Sequence, residues 1–284
     1  QIGAANNWAG MVVDQERGIV FIPTGSATYD FWGGYRHGDN LYANSLLALD
    51  AKTGKRIWHF QAVHHDVWDR DFPAPPNLIR IQKDGKWIDA VAQISKQGMT
   101  YVFDRETGEP IWPIVETSVT QSTLGGEKTS PTQPIPTLPE PFMSLVFEEK
   151  DILKLKPQWE ADIKSQLENA KYGDTWLPPS AENPIVLFPG MDGGGEWGGA
   201  SFDPTNQTMY VNANQIPWLI EMTPNASFGN LGKSIYTNYC GNCHGLERKG
   251  NPPAIPGLIG LKEKYTPDSL DQLLRMGRGA MPAF

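Results

Sequence analysis

A pattern of eleven residues occurs twice in this chain and limits the folds that the chain can adopt. The segment Ala48–Trp58 matches Val102–Trp112, 54 residues later, in the form apolar-x-Asp-x-x-Thr-Gly-x-x-Ile-Trp. The Thr-Gly pair is typical of a tight turn between strands, and the Trp that follows can pack flat on the edge of a neighbouring sheet. A repeated unit of this length predicts a β-propeller built from four-stranded sheets.

A second repeated pattern supplies the outer strands of the predicted units. Trp8–Asp14 resembles Trp197–Asp203, and each segment is followed by a turn and a second strand, Ile19–Ile22 and Thr208–Asn212. Together the patterns indicate about three blades, whereas a closed ring needs roughly four to eight. We therefore expect the chain to be cut from a longer one and not to close a ring alone.

A segment between the second and third units departs from the strand pattern. It covers residues 116–179, begins Pro-rich, and has helix-forming composition from Glu148 to Ala170, interrupted by Pro157. Pro-rich sequence favours extended chain. We interpret the segment as a surface excursion of the propeller.

Composition fits this fold and argues against one class of partner. The 29 Gly, 24 Pro and 10 Trp are typical of many short strands joined by turns. The formal net charge of −8 argues against nucleic acid as a partner, because phosphate binding needs clustered Lys and Arg. No apolar run is long enough to span a membrane.

The two cysteines of the chain lie in the motif Cys240-Gly-Asn-Cys243-His244. Haem c needs two thiols for thioether bonds and an adjacent imidazole for the iron, and these three residues provide both. A thioredoxin-like dithiol would need a βαβ context, and a zinc site would need two further ligands nearby. The sequence offers neither, so we predict haem attachment at Cys240 and Cys243, with His244 as the proximal iron ligand.

Met281, 37 residues after His244, is the predicted sixth ligand of the haem iron. A thioether ligand raises the reduction potential and suits electron transfer. Met276 is the alternative ligand, although it falls in a helical pattern over Pro267–Met276, and Met281 could instead be a packing residue.

The end of the chain, residues 229–284, resembles the small class I cytochromes c. The likeness rests on a predicted helix over Asn230–Tyr239, the haem motif, a Pro/Gly-rich loop and the Met-Pro segment at Met281. It implies an all-α cytochrome c domain, truncated at its C-terminus because the family's last helix would follow Phe284. The propeller domain is then expected to cover residues 1–228.

The segment Val63–Asp69 places two imidazoles, two carboxylates and an indole directly after a repeat strand. A loop at a blade end is where a propeller binds its ligand, although an ordinary polar loop is the alternative. With the tryptophan repeats, this segment resembles the pyrroloquinoline quinone (PQQ)-dependent dehydrogenases, most closely the membrane glucose dehydrogenase branch, over Gln1–Met222. The resemblance implies a ring of about eight blades, with the cytochrome segment inserted in it.

The same resemblance implies roles for single residues. Asp66 is expected to be the general base that takes the proton of the substrate hydroxyl, and also a calcium ligand. Lys96 is expected to hydrogen-bond the reactive oxygens of the quinone, and a solvated surface lysine is the alternative. Trp8 is expected to stack on the quinone, with Trp197 and Thr28 also facing it, although both indoles could serve blade packing.

Ser26 departs from the family pattern, because relatives often have Asn there as a calcium ligand. A hydroxyl is a weaker ligand for this hard cation than an amide carbonyl. Ser26 therefore coordinates calcium weakly, is replaced by water, or marks a low metal affinity.

These observations predict a periplasmic oxidoreductase that oxidises a sugar or alcohol hydroxyl with PQQ as hydride acceptor. Calcium and haem c are further predicted cofactors, and electrons are expected to reach an external cytochrome, copper protein or oxidase. One alternative is a non-catalytic propeller that binds proteins, with the cytochrome as an electron carrier. Another is a degenerate quinoprotein that binds the quinone without turnover.

Overall fold

The computed structural model describes residues 3–223 and 231–283, apart from the side chains of Leu231, Ser234 and Asn238. The chain forms two compact units, residues 1–222 and 223–284. Among the described residues, the strands lie in the first unit and the second contains helical segments. The predicted domain boundary after residue 228 lies outside the described residues and stays a prediction.

The first unit begins with a four-stranded antiparallel sheet whose strands pair in chain order. These strands are β1 (Val12–Asp14), β2 (Ile19–Pro23), β3 (Ser45–Asp50) and β4 (Arg56–Gln61). Alternate residues of β2 are buried, so one face of the sheet packs on the core. This sheet is the meander expected of one propeller blade.

The second sheet has three strands in chain order, β5 (Asn77–Lys83), β6 (Lys86–Ile94) and β7 (Thr100–Asp104). Its fourth strand is reduced to a single bridge between Phe103 and Pro110. Pro110 occupies the repeat position of Arg56. The N–H of Ile111, the next residue, still donates to the carbonyl of Val102 in β7 at 2.8 Å.

Both copies of the repeated pattern fold into the same turn. The Oδ1 atom of Asp50 accepts a hydrogen bond from the N–H of Thr53 at 2.7 Å. In the second copy, Asp104 Oδ1 accepts one from the N–H of Thr107 at 2.9 Å. Gly108 follows with a φ of +75°, a left-handed conformation that glycine adopts without strain.

The repeat tryptophan of the first copy packs on the turn of the second. Trp58 Nε1 donates to the carbonyl of Arg105 at 3.0 Å. Its ring covers Gly108, where a Cβ would lie 2.6 Å from the ring. Trp112 and Phe202, which belongs to the third repeat, both pack on the core of the second sheet. The prediction that the repeat tryptophan covers the neighbouring sheet is confirmed for Trp58, and for Trp112 it stays a prediction.

Trp58→Ala is expected to lower the free energy of unfolding of the full-length protein by about 3–5 kcal/mol, because it removes a buried aromatic ring between two sheets. Trp87, which is 52% exposed, offers the matched control, and Trp87→Ala should cost less than about 1 kcal/mol. Denaturant unfolding measures both values. Equal losses for the two variants would contradict the docking role of Trp58.

The excursion contains a hairpin and one regular helix. Strands β8 (Ile114–Ser118) and β9 (Thr132–Pro136) pair with each other. Helix α1 (Pro157–Leu167) starts at the proline that was expected to interrupt it. Proline fits the first turn of a helix because the N–H that it lacks has no partner there.

The remaining strands of the first unit form two antiparallel pairs. Strand β10 (Ile185–Leu187) pairs with β13 (Trp218–Ile220), and β11 (Gly195–Asp203) with β12 (Thr208–Ala213). The β11–β12 hairpin confirms the two strands that were predicted for the third repeat. The number of blades in a complete ring stays a prediction.

In the second unit, α2 (Leu231–Ile235) continues as a π-helical turn, Tyr236–Cys240, into α3 (Gly241–His244). Helix α4 covers Pro267–Met276, as predicted. The helix predicted from Asn230 is present from Leu231 onward, and Asn230 itself is outside the described residues. Within 3–223 and 231–283, no helix is long and apolar enough to cross a membrane.

Candidate active site and haem-binding site

The loops at one end of the first two sheets meet. Strands β2, β4 and β6 end there, and β1, β3 and β7 begin there. The loops bring together the segment that contains Trp8, the Thr24–Thr28 loop, the His65–Asp71 segment and Lys96. Lys96 lies in the turn between β6 and β7.

Lys96 lies at the centre of this end and is buried. Its Nζ atom donates to Asp69 Oδ2 at 3.0 Å and lies 3.3 Å from Asp71 Oδ2. It also lies 5.7 Å from the ring centre of Trp8, and Trp8 Nε1 donates to Asp71 Oδ2 at 3.2 Å. The alternative of a solvated surface lysine therefore does not hold, because both carboxylates neutralise a buried cation.

Ser26 contacts the other oxygen, Oδ1, of both carboxylates. Its Oγ atom lies 2.8 Å from Asp69 Oδ1 and 2.8 Å from Asp71 Oδ1. Its N–H also donates to Asp71 Oδ1. The Asp69, Asp71, Lys96, Ser26 and Trp8 side chains, which we call the Lys96 cluster, thus form one hydrogen-bonded unit.

Burial and like charge change the acidity of the cluster. Burial, with the charge of Asp71, raises the pKa of Asp69 to about 6, although Lys96 acts in the opposite direction. Burial by itself lowers the pKa of Lys96, but Asp71 and Asp69 more than compensate and raise it. Lys96 is therefore a cation at neutral pH, and Asp69 is a carboxylate that can gain a proton only slightly below it.

A cavity of about 180 Å³ opens beside the Lys96 cluster. Thr28 lines it together with Trp8 and Ser26. Asp30 lines it as well, and burial, with the charge of Asp71, raises the pKa of this carboxyl group. The cavity is therefore lined by hydroxyl groups, by carboxylate groups and by the indole ring of Trp8.

Asp66 does not reach the cavity, contrary to the sequence prediction. Its side chain is 2% exposed, and Oδ1 accepts the N–H of Trp68 at 2.7 Å. Oδ2 accepts the N–H of Arg70 at 2.6 Å and Nδ2 of Asn44 at 2.7 Å. Because both oxygens are engaged by buried donors, neither is placed to accept a proton from a substrate. The carboxylates beside Lys96 are instead Asp69 and Asp71.

Asp71 belongs to no predicted site, although the sequence contains a signal for it. The signal is a second carboxylate two residues after Asp69, in the segment that directly follows the predicted site. Trp197 is 76% exposed and is not among the residues that line the cavity, so its contact with the quinone stays a prediction.

A buried pair anchors this segment to the excursion. His65 Nε2 lies 2.7 Å from Glu127 Oε1, and His65 Nδ1 lies 2.7 Å from the carbonyl of Gly38. Glu127 also accepts the N–H of Gly33. The excursion is thereby fixed to the loop that carries Thr28.

A calcium ion would need about six to eight oxygen ligands. Ser26 lies next to two carboxylates, but Lys96 already pairs with both. Among the residues described, no group of three or more His, Cys, Asp or Glu side chains is arranged to hold a metal ion. Asp66 is buried and its oxygens accept three hydrogen bonds, so calcium at Asp66 and Ser26 stays a prediction.

The haem motif lies at a helical turn of the second unit. Cys240 ends the π-helical turn, and Cys243 and His244 lie in α3. The Nδ1 atom of the buried His244 lies 2.9 Å from the carbonyl of Pro256. Because a carbonyl only accepts, Nδ1 carries the proton and the lone pair of Nε2 is available to an iron ion. The donor set therefore fits haem c.

The two candidate sixth ligands differ in their surroundings. Met276 is the last residue of α4, and its side chain is mostly exposed. Met281 lies in a tight turn in which the main chains of Arg278 and Met281 exchange two hydrogen bonds of 3.0 Å. Met281 stays the predicted ligand.

Comparison with known proteins gives a family match for each part of the chain. A family model for the β-propeller domain of glucose, ethanol and alcohol dehydrogenases, which use PQQ, matches residues 1–255. The chain belongs to the PQQ β-propeller dehydrogenases. A second model, for subunit III of cbb3-type cytochrome c oxidase, matches residues 229–284.

Individual PQQ dehydrogenases show the same relation. The chain is 38% identical over 227 residues to quinoprotein glucose dehydrogenase A of Acinetobacter calcoaceticus, covering 77% of this chain and 28% of that protein. It is 27% identical over 268 residues to the quinohemoprotein alcohol dehydrogenase of Pseudomonas putida, covering 94% and 31%. The chain thus spans less than a third of either relative.

The structure of a quinohemoprotein alcohol dehydrogenase from Pseudomonas putida covers 79% of this chain, with a TM-score of 0.51 and 23% identity, while the match spans 28% of that structure. This likeness confirms the propeller fold of the family in the first unit.

Proposed function

We propose that this chain is part of an enzyme that oxidises a hydroxyl group of a sugar or alcohol, with Asp69 as the general base. The observation that carries the proposal is the Lys96 cluster, in which a carboxylate of raised pKa lines a cavity and is paired with a buried cation. Perturbed groups in a cavity are typical of catalytic sites. Asp69 thus takes the role that the sequence prediction assigned to Asp66.

Asp69 has the properties that proton transfer requires. A base works best when its pKa lies near the working pH, and burial raises that of Asp69 to about 6. The salt bridge to Lys96 keeps the carboxylate ionised and directed toward the cavity. In the proposed reaction, Asp69 accepts the proton of the substrate hydroxyl as the carbon–hydrogen bond breaks.

Lys96 and Trp8 have the chemistry to hold PQQ. The ammonium group has three donors, and the contacts to Asp69 and Asp71 leave one for a quinone oxygen. The Trp8 ring is partly exposed and is held at its Nε1 edge by Asp71, so a flat face is available for stacking. When bound, PQQ supplies the hydride acceptor.

We further propose that the second unit carries haem c for electron transfer. Cys240 and Cys243 would form the thioethers, and His244 and Met281 would ligate the iron. An attached haem supplies a one-electron carrier between the quinone site and an external acceptor. Because haem c and PQQ imply a periplasmic enzyme, we place the protein there, with a cytochrome, copper protein or oxidase as acceptor.

Dye reduction by the full-length protein tests this function. The assay contains PQQ and calcium, and its substrates are glucose, glycerol, quinate and ethanol, since proteins named for these or related substrates are among the relatives. Oxidation that requires added quinone would support the enzyme. Quinone retention without turnover would indicate a degenerate quinoprotein, and absence of both would indicate a binding propeller.

Gly193→Ala is expected to lower kcat on the order of a hundredfold, because it displaces Lys96. A Cβ at Gly193 would lie 2.4 Å from Lys96 Cγ, and the φ of +83° requires glycine. Gly173→Ala is the matched control, with a φ of +89° and no atom within 4 Å of its Cβ. Dye-reduction kinetics measure both variants. Unchanged kcat in Gly193→Ala would contradict the placement of Lys96.

A further inference from the structure

The buried carboxylate of Asp66 binds the main chain on both sides of Asp69. It accepts the N–H of Trp68 and the N–H of Arg70, which are the residues before and after Asp69. Asp69 itself has a φ of +61°, a conformation that costs a non-glycine residue about 1 kcal/mol or more. Asp66 therefore stabilises the strained backbone that directs Asp69 toward Lys96.

Asn44, the residue before β3, makes further hydrogen bonds to Asp66 and to the loop that carries Asp69. Its Nδ2 atom donates to Asp66 Oδ2 at 2.7 Å and to the carbonyl of Arg70 at 3.0 Å. It directly precedes β3 and is buried. The loop that carries Asp69 is thus attached to the first sheet through Asp66 and Asn44.

Arg70 connects the loop of Asp69 with the glycine-rich segment Gly190–Gly195, which packs on Lys96. Its side chain is 1% exposed, and its guanidinium donates to the carbonyls of Pro189 at 2.7 Å and Phe188 at 3.2 Å. The chain then continues to Gly194, whose N–H donates to the carbonyl of Lys96 at 2.6 Å. Arg70 therefore connects the Asp69 loop with the chain that surrounds Lys96.

The charges of Asp66 and Arg70 make them interdependent. Burial lowers the pKa of Arg70 to about 10, and the charge of Asp66 opposes this effect. A buried charge left without its partner costs several kcal/mol. Loss of either residue should therefore disturb the conformation around the other.

We propose that Asp66 and Arg70 are positioning residues, two buried charged side chains that hold Asp69 and the glycine-rich segment in place around Lys96. The inference rests on the proposed role of Asp69 as the base. It predicts that Asp66 influences turnover only through Asp69, without contact with substrate or quinone.

A double-mutant cycle on the full-length protein with PQQ tests this inference. We expect Asp66→Asn to lower kcat about 10- to 100-fold with little change in KM, because the new amide group would face N–H donors and release the loop. Adding Asp66→Asn to Asp69→Asn should cause no further loss beyond about twofold. A further loss as large as that of Asp66→Asn alone would overturn the inference.

The chain offers a matched control pair at the opposite end of the strands. Asp14 is a buried carboxylate that pairs with Arg105 at 3.1 Å, and Arg105 also donates to two main-chain carbonyls. Asp14→Asn should lower stability without changing kcat more than about twofold. If Asp66→Asn and Arg70→Met resemble Asp14→Asn and Arg105→Met in both measurements, the pair is only structural and the inference fails.

A milder variant covers the case in which Asp66→Asn does not fold. Asn44→Gly keeps the left-handed backbone of Asn44, whose φ is +49°, and removes only its amide. We expect kcat to fall severalfold, again without effect in the Asp69→Asn background; a normal kcat would overturn the inference. Absence of quinone-dependent turnover in the wild type would instead refute the proposed function, and the inference with it.

Discussion

Replacing Asp69 by Asn is expected to lower kcat of the full-length protein by about 10²- to 10⁴-fold, the usual contribution of a general base. An amide of nearly the same shape keeps the contact with Ser26 but cannot take a proton. Binding of PQQ, followed by quenching of tryptophan fluorescence, should persist because Lys96 and Trp8 remain. Steady-state dye reduction measures the loss of turnover.

The pH dependence gives an independent check of the same residue. Burial raises the pKa of Asp69 to about 6, so the carboxyl group is protonated below this pH and cannot accept a proton. The value of kcat/KM should therefore fall about tenfold per unit below pH 6. An Asp with an ordinary pKa of about 3.9 would retain activity to much lower pH.

A carboxylate remote from the site is the control for Asp69. Asp50 accepts hydrogen bonds in a repeat turn at the far end of the first sheet, and Asn can serve the same turn. Asp50→Asn should leave kcat unchanged. Full activity in Asp69→Asn would remove the base from our proposal, whereas loss of quinone binding would show that Asp69 holds the cofactor.

Replacing Cys240 and Cys243 together by Ala is expected to abolish covalent haem attachment. The two thiols are the only cysteines of the chain, so no other side chain can form a thioether. The denatured variant should show no haem spectrum, whereas the wild type should keep one. Dye reduction at the quinone should continue, but reduction of an external cytochrome should fall to the background rate.

The matched control for the cysteine pair keeps both thiols and changes an exposed methionine. Met276→Leu lies at the exposed end of α4 and should retain the haem and its spectrum. Unaltered cytochrome reduction by the double cysteine variant would show that electrons bypass the second unit, and would contradict its proposed role as the electron carrier.

The fold was predicted most accurately at turns whose hydrogen bonds join residues that are close in the sequence. The Asp-x-x-Thr-Gly turn forms within a few residues, because the Asp side chain binds the N–H of the Thr three positions later. It therefore appears in both copies without help from the rest of the chain. The second blade has Pro110 where the first has Arg56, and its fourth strand is reduced to one bridge.

The sequence by itself determined the repeat, the family and the haem motif, since each depends on residue types at short fixed spacings. Only the tertiary structure decided between Asp66 and Asp69, which are three residues apart and chemically identical. Asn44 and the folded main chain surround Asp66 with donors, whereas Lys96, from a different sheet, pairs with Asp69. The role of each carboxylate depends on the side chains that the fold brings to it. Asn44 and Lys96 are both distant in the sequence from the carboxylate that they contact.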